Sequence, residues 1–290
     1  MAVLTLPEGM IGFYKQHIEY ISEHAVDPDR RRYANADEAP RHYIDIDHYG
    51  KYAFDSVPKY WKEAVKKYTE DTLKAYGIVP WYIETMVNRL TEALKNENLD
   101  LILHYSADLG HYVADAHVPL HTTENYNGQF TNQIGIHGFW ESRIPELKSE
   151  NYNYWVGRAR YIDKPIEKAW NVVKISHAAV DSVLKFEAQL NSTYSPDKKY
   201  SLENRGAKVM KVYSKEYTED YDKMLNGMVE RRMREAIITV GSLWYTAWIN
   251  AGKPDLHRFN DKDISDSLKQ ANKKIQEVIE NKKLKGHDGE

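Results

Sequence analysis

Apolar residues recur at three- and four-residue intervals over most of the chain, the spacing of one face of an α-helix. TLPEGMIGFYKQHIEYISEHAV, from Thr5 to Val26, shows it with Pro7 near its start, where a missing N–H costs a helix nothing. VPKYWKEAVKKYTEDTLKAYG opens with Pro58 and closes at Gly77, the punctuation expected of a helix. VPWYIETMVNRLTEALKNEN repeats that pattern with Pro80, and DLILHYSADLGHYVADAHVPL is halted by Pro119. Two longer amphipathic stretches follow, IEKAWNVVKISHAAVDSVLKFEAQL and YDKMLNGMVERRMREAIITVGSLWYTAWINAG. No series of alternating strands and no repeat of fixed period interrupts them. The pattern predicts an all-α fold, a single multi-helix bundle domain with long loops over residues 1–256. After Leu256 the composition turns polar and Lys-rich, so residues 257–290 read as a C-terminal tail. Ile264, Leu268, Ile275 and Val278 give that tail one weak helical face.

Composition narrows the possibilities. A chain of 290 residues can bury a substantial core. Its 42% hydrophobic and 29% charged residues are those of an ordinary soluble globular protein. The net charge of −3 supplies no bulk positive field for nucleic acid. No apolar run reaches membrane-spanning length. The first residues lack the basic region, apolar core and small-residue cleavage site of a signal peptide. The absence of cysteine excludes disulfides and thiolate metal sites, so any metal must bind through imidazole nitrogen and carboxylate oxygen.

The chemistry concentrates in GHYVADAHVPLHTTENYNGQFTNQIGIHGFWESRIPE, Gly110 to Glu146, which holds four of the chain's 12 histidines. His111 and Asp115 are four apart and share a helix face, and His104 and Asp108 extend the same stripe. His121 follows the Pro119 break. An Asn/Gly-rich loop then leads to His137 and Glu141, again four apart. A lone His-x3-Asp pair is a common accident. Five candidate ligands between His111 and Glu141, in two pairs separated by a Pro break and a loop, suit zinc in a cysteine-free protein. His117 lies off the His111/Asp115 face and reads as a structural residue. No Ser-His-Asp arrangement with local motif support and no Gly-rich phosphate loop is present. The Glu-x-x-His pairs of a di-iron bundle are absent too.

These residues resemble those of the zinc-dependent phospholipase C and single-strand-specific nuclease superfamily, helical phosphodiesterases that hold three metals. LGHYVADAHVPLH is similar to that family's central helix and HGFWE to its next metal-binding helix. RHYIDID resembles the nuclease version of an upstream histidine motif, and RRMREAIITVGSLWYTAWINAG is a weaker C-terminal match. The likeness covers most of residues 5–256. It implies one zinc held by Asp27, His42, His111 and Asp115, with Asp29 the competing choice to Asp27, and a second held by His121, His137 and Glu141. The family's third zinc uses a mature N-terminal Trp, a nearby His and the carboxylate at Asp115's position. This chain begins MAVLTLPEG, with no Trp before Trp61 and no His before His17. The resemblance therefore leads us to expect two zinc ions in this chain against three in the family, the third-site ligands being either upstream or lost.

The activity implied is zinc-dependent hydrolysis of a phosphodiester by a metal-activated water, with Asp27 or Asp29 available to orient that water. Arg41, Tyr126 and Phe130 are the expected substrate contacts. Arg30, Arg31 and Arg32 read mainly as a solvated face. Glu141 as the last ligand resembles the phospholipases, whereas DAHVPLH and RHYIDID look more like the nucleases. The expected substrate is thus a phospholipid head group or, alternatively, single-stranded nucleic acid. A helical protein that binds metal without catalysis is the third reading. The resemblance implies an extracytoplasmic or secreted protein, and no protein partner is expected.

Overall fold

The computed structural model describes residues 1–206, 208–260 and 262–281. The first predicted helix forms as α1 (Glu8–Gln16) and α2 (Ile18–His24), which part at His17, where φ is −104°. A short α3 (Asp27–Arg32) follows, with Pro28 in its first turn. After the turns at Ala39–Arg41 and Ile46–Tyr49 come α4 (Ala53–Ser56), α5 (Trp61–Tyr68) and α6 (Glu70–Ala75). Thr69, at φ 67°, splits α5 from α6 and caps the latter through its hydroxyl. The long helices α7 (Val79–Lys95) and α8 (Leu99–Ala116) lie side by side. Asn98 caps α8 by accepting from the Leu101 N–H at 3.1 Å. Beyond Pro119 the chain makes a single 3₁₀ turn, Pro119–Thr122. It re-enters a helix through α9 (Ile136–Gly138), a π-turn at Phe139–Arg143 and α10 (Ile144–Lys148). Next come α11 (Pro165–Thr193), α12 (Lys215–Leu225) and α13 (Met228–Asn250). Asn226 and Gly227, both at positive φ, separate the last two.

The core forms where α7, α8, α11 and α13 meet. Ile102, Leu103, Ala107, Leu109 and Val113 turn one face of α8 inward. α13 passes α8 at Gly110, where a Cβ would lie in ordinary van der Waals contact, 3.8 Å from Val240 and 3.9 Å from Trp244. Trp244 stacks on Tyr14 and donates its indole N–H to the Ser106 carbonyl at 3.1 Å. A second cluster gathers Leu120, Ile136, Phe139, Trp140 and Ile144 against Val183, Tyr217 and Tyr221. The fold is all-α in class, and this second cluster carries the His137 segment.

Two departures from the sequence expectation stand out. Between α11 and α12 the chain forms an antiparallel hairpin, β1 (Tyr200–Arg205) and β2 (Lys208–Tyr213), with Gly206 at φ 61° in its turn. Arg143 binds Glu203 and Glu146, and Arg205 pairs with Glu146, tying the hairpin to α10. The segment after Leu256 begins on the body: Phe259 is buried 5.8 Å from the Phe13 ring, and Ile264 packs on the core. A last helix, α14 (Asp266–Asn281), touches α3. Leu268 is half-buried, while the side chains of Ile275 and Val278 lie outside the described residues.

Candidate metal centre

α8 supplies the first part of the site. Its 3.6-residue repeat stacks His104, Asp108, His111 and Asp115 along one stripe. The upper pair serves another purpose. Asp108 accepts from Arg31 at 2.6 Å and lies 3.6 Å from His104. The lower pair meets His42, which the loop after the Ala39–Arg41 turn brings across. Asp115 Oδ2 is 2.9 Å from His42 Nδ1 and 3.2 Å from His111 Nε2. His111 Nε2 and His42 Nδ1 are 3.1 Å apart. Asp29 Oδ1 completes the group, 3.6 Å from each of those nitrogens.

Asp27, the expected carboxylate, is placed elsewhere. It pairs with His24 Nδ1 at 2.7 Å and Arg30 at 2.9 Å. Two positions along a helix rotate a side chain by about 200°, so only one of the two aspartates can face the centre. That one is Asp29.

The second group lies beyond the Pro119 break. His137 Nε2 is 3.1 Å and His121 Nε2 3.4 Å from Glu141 Oε2. The ligand atoms of Asp29, His42 and His111 all lie within 4.8 Å of one another, as do those of His121, His137 and Glu141. The wide π-turn at Phe139–Arg143 carries Glu141. The backbone joins the two groups: the Ile44 N–H donates to the His121 carbonyl at 2.9 Å, and His121 Nδ1 donates to the His42 carbonyl at 2.8 Å. With Nδ1 so engaged, Nε2 is the nitrogen that faces Glu141 and is left to meet a cation. His42 presents Nδ1 to the centre, and its Nε2 turns to buried Glu38, 3.8 Å away.

The electrostatics fit a cation. Burial opposes charge on His111, yet Asp115 and Asp29 hold its imidazole well above the usual range. Burial likewise works against a charged His121, but Asp115, Glu141 and the His42 carbonyl raise it to about 9. Burial would lift the acids, but the imidazoles keep Asp115 well below the carboxylate range and Glu141 below it too. Asp115 interacts with both His111 and His121 and so links the groups. Imidazole nitrogens converging on carboxylates at these distances form the nitrogen–oxygen donor set that zinc takes in the absence of cysteine. Such an ion would replace the protons on His111 and His121.

Around the centre, Tyr126 is exposed and its ring stands edge-on to His137, with centroids 6.2 Å apart. Phe130 projects from the same loop. Arg41, an expected substrate contact, instead pairs with Glu38 at 2.6 Å and stacks over Tyr82. Arg31 is bound to Asp108 and Glu38, and Arg32 lies 3.8 Å from Asp29. His117 is buried, hydrogen-bonded to the Val113 carbonyl at 2.7 Å, and burial and Arg232 lower its pKa to about 3. His17 packs on Phe13 away from both groups.

Sequence reasoning passed over Glu38, whose buried carboxylate also accepts from the Tyr112 hydroxyl, and Asp45. Burial, then Asp47 and Glu124, pushes Asp45 up to about 7. The repeated acids of RHYIDID were the available signal for Asp45. The profile of the family described as zinc dependent phospholipase C matches residues 1–204. No curated protein matches the chain.

Proposed function

The chain belongs to the zinc-dependent phospholipase C family, and from that premise we propose that it hydrolyses phosphodiesters, with a phospholipid head group as substrate. The observation that carries this reading is the convergence of two ligand groups on either side of Asp115. Asp29, His42, His111 and Asp115 would hold one zinc, and His121, His137 and Glu141 another. When bound, zinc supplies Lewis acidity toward a phosphoryl oxygen and lowers the pKa of water.

The chain's own residues prepare that chemistry. Hydrogen bonding of His121 Nδ1 to the His42 carbonyl fixes the tautomer that presents Nε2. The buried Glu38 carboxyl group stands behind His42 on the far side of the ring, 3.8 Å from Nε2. Asp29 stays ionised beside His111 and His42, so it can accept a hydrogen bond from the attacking water and orient it. Water oxygen forms the new bond to phosphorus as the bond to the alcohol oxygen breaks. The alcohol leaves with a proton, and a phosphomonoester remains. Tyr126 and Phe130 form the outer wall against which the head group rests, while Arg41, bound to Glu38, supports His42's loop. No described helix is long and apolar enough to cross a membrane, and family membership points to action outside the cytoplasm.

The test is zinc analysis together with turnover of phosphatidylcholine, a chromogenic phosphodiester and single-stranded DNA. The expected result is one zinc per ligand group, with turnover of the two non-nucleic substrates abolished by chelation and restored by zinc. Less than one equivalent of zinc after reconstitution, or faster turnover of the DNA, would overturn the reading.

A further inference from the structure

The hairpin next to the second ligand group has a face that no described residue covers toward its tip. In an antiparallel pair, directly opposed residues share a face, as do residues two apart. Tyr200 opposes Tyr213, Leu202 opposes Lys211, and Asn204 opposes Val209, so these six share one face. At its base that face is covered: Tyr213 stacks on Phe139, with centroids 3.8 Å apart. Toward the tip the cover ends. Leu202 is 75% exposed and Val209 65%, and Met210 on the other face is 42% exposed. Apolar strand residues are usually buried, and free strand edges usually carry charged residues instead.

Charge surrounds them. Residues 198–211 carry four lysines and one arginine against a single glutamate, in a chain of net charge −3. Arg205 and Lys199 are taken up by Glu146 and Glu187. Lys208 and Lys211 flank the apolar tip, Lys211 lying over the Tyr200 ring.

The patch is continuous with the metal centre. Gly135 lies against the Tyr213 hydroxyl: a Cβ there would come within 3.7 Å of it. Ile134 just before it is 61% exposed, and Phe130 on the same loop 72%. His137 is two residues beyond Gly135. Exposed apolar side chains thus stand on either side of Tyr213, at the hairpin tip beside Lys208 and Lys211 and on the loop that walls the ligand group. A protein partner would need shape complementarity, whereas a lipid surface asks only for apolar side chains that can insert and cations that meet anionic head groups.

We propose that the hairpin and the 130–134 loop dock this protein onto the surface of an anionic phospholipid bilayer, Leu202 and Val209 entering the acyl boundary and Lys208 and Lys211 meeting the head groups. The proposal deepens the phospholipase reading and rests on it for its purpose. Docking there brings head groups to the side of the molecule that carries His137 and Glu141.

The zinc-loaded full chain is tested by co-sedimentation with vesicles of phosphatidylcholine alone and of phosphatidylcholine mixed with phosphatidylserine. Wild type is expected to bind the mixed vesicles more tightly, and less so as salt rises. Leu202→Ser/Val209→Ser should weaken binding to both by about tenfold or more, since inserted apolar area drives it. Lys208→Glu/Lys211→Glu should weaken binding to the mixed vesicles by about tenfold and leave the neutral ones unchanged. Both variants should keep wild-type turnover of the soluble chromogenic diester, which also reports their folding. The proposal is overturned if wild type binds neither vesicle or if the serine pair binds as wild type does. It is equally overturned if the serine pair instead abolishes self-association, or if the lysines bind single-stranded DNA in place of vesicles. Vesicle binding without turnover of the soluble diester would defeat the hydrolase reading alone, and turnover without vesicle binding would defeat the docking alone.

Discussion

Two aspartates stand two positions apart in the first turn of α3, and the protein uses them differently. Asp29 faces His42 and His111, whereas Asp27 is closed into an ion-paired corner with His24 and Arg30. Asp29→Asn should therefore lower zinc occupancy of the first group while leaving the fold intact. Asp27→Asn should leave the zinc content unchanged and cost about 1–3 kcal/mol of stability, the loss expected when charge-assisted bonds to a buried carboxylate are removed. Metal analysis and chemical denaturation of both variants separate the outcomes, and zinc loss in Asp27→Asn alone would reverse the assignment. That His111 meets Asp115 and His137 meets Glu141 was readable from spacing, because an i,i+4 pair shares a face in any helix. The choice between Asp27 and Asp29 was not, because it depends on how a six-residue helix is rotated against α8.

Asp45 offers a pH test at the same scale. Its folded pKa, about 7, lies above the ordinary value of 3.8. The native state therefore keeps this proton where the unfolded chain has lost it, and stability falls as pH rises from about 4 to about 7. Asp45→Asn in chelated protein should be no more stable than wild type near pH 4. It should gain about 1–3 kcal/mol by pH 8, less than the full shift implies because the side chain is partly exposed. A stability difference that does not change with pH would show that Asp45 is not the titrating group.

Among the elements, the predicted helices formed where Pro, Gly and apolar spacing agreed, as in α7, α8 and α11. They broke where only backbone conformation could tell: at His17, at Thr69 and at Asn226–Gly227. The hairpin was hidden because Glu203, Asn204 and Arg205 interrupt the alternation of β1, and it is held by ion pairs to Glu146 and by Tyr213 at its base rather than by a face buried along its length. One junction matters directly to the site. Gly77, at φ 86°, lies against the loop that carries His42, and a Cβ there would be 2.2 Å from the Tyr43 carbonyl oxygen. On either side the Asp45 N–H donates to the Tyr76 carbonyl at 2.8 Å and the Val79 N–H to the Tyr43 carbonyl at 3.1 Å. Gly77→Ala combines a positive-φ penalty with a backbone clash, so it should cost more than about 2 kcal/mol. It should also weaken zinc at the Asp29–His42–His111 group more than at the His121–His137–Glu141 group. Equal weakening at both, read by competitive chelator titration, would show that the loop does not position His42 separately.

At the scale of the whole molecule, the proposed ligands come from segments far apart in the chain: α3, the loop at His42, α8, the turn at His121 and the helix at His137. Without a cation the carboxylates and imidazoles can balance one another only by keeping protons on His111 and His121. A cation bound by the native state alone adds RT ln(1 + [L]/Kd) to stability, about 4 kcal/mol at a thousandfold excess over Kd. For a chain of this size each kcal/mol moves Tm by roughly 2–4 °C. Chelation should therefore lower Tm by roughly 10 °C or more and return it on adding zinc, with helical circular dichroism retained below the transition because the buried side chains that join α7, α8, α11 and α13 are apolar and include none of the proposed ligands. Glu141→Ala removes one carboxylate from the second group only, so it should show about half that response while the first group still answers to zinc. A Tm indifferent to zinc in wild type would mean that neither group holds a metal. A full wild-type response in Glu141→Ala would mean that the second group contributes nothing to the linkage between metal binding and folding.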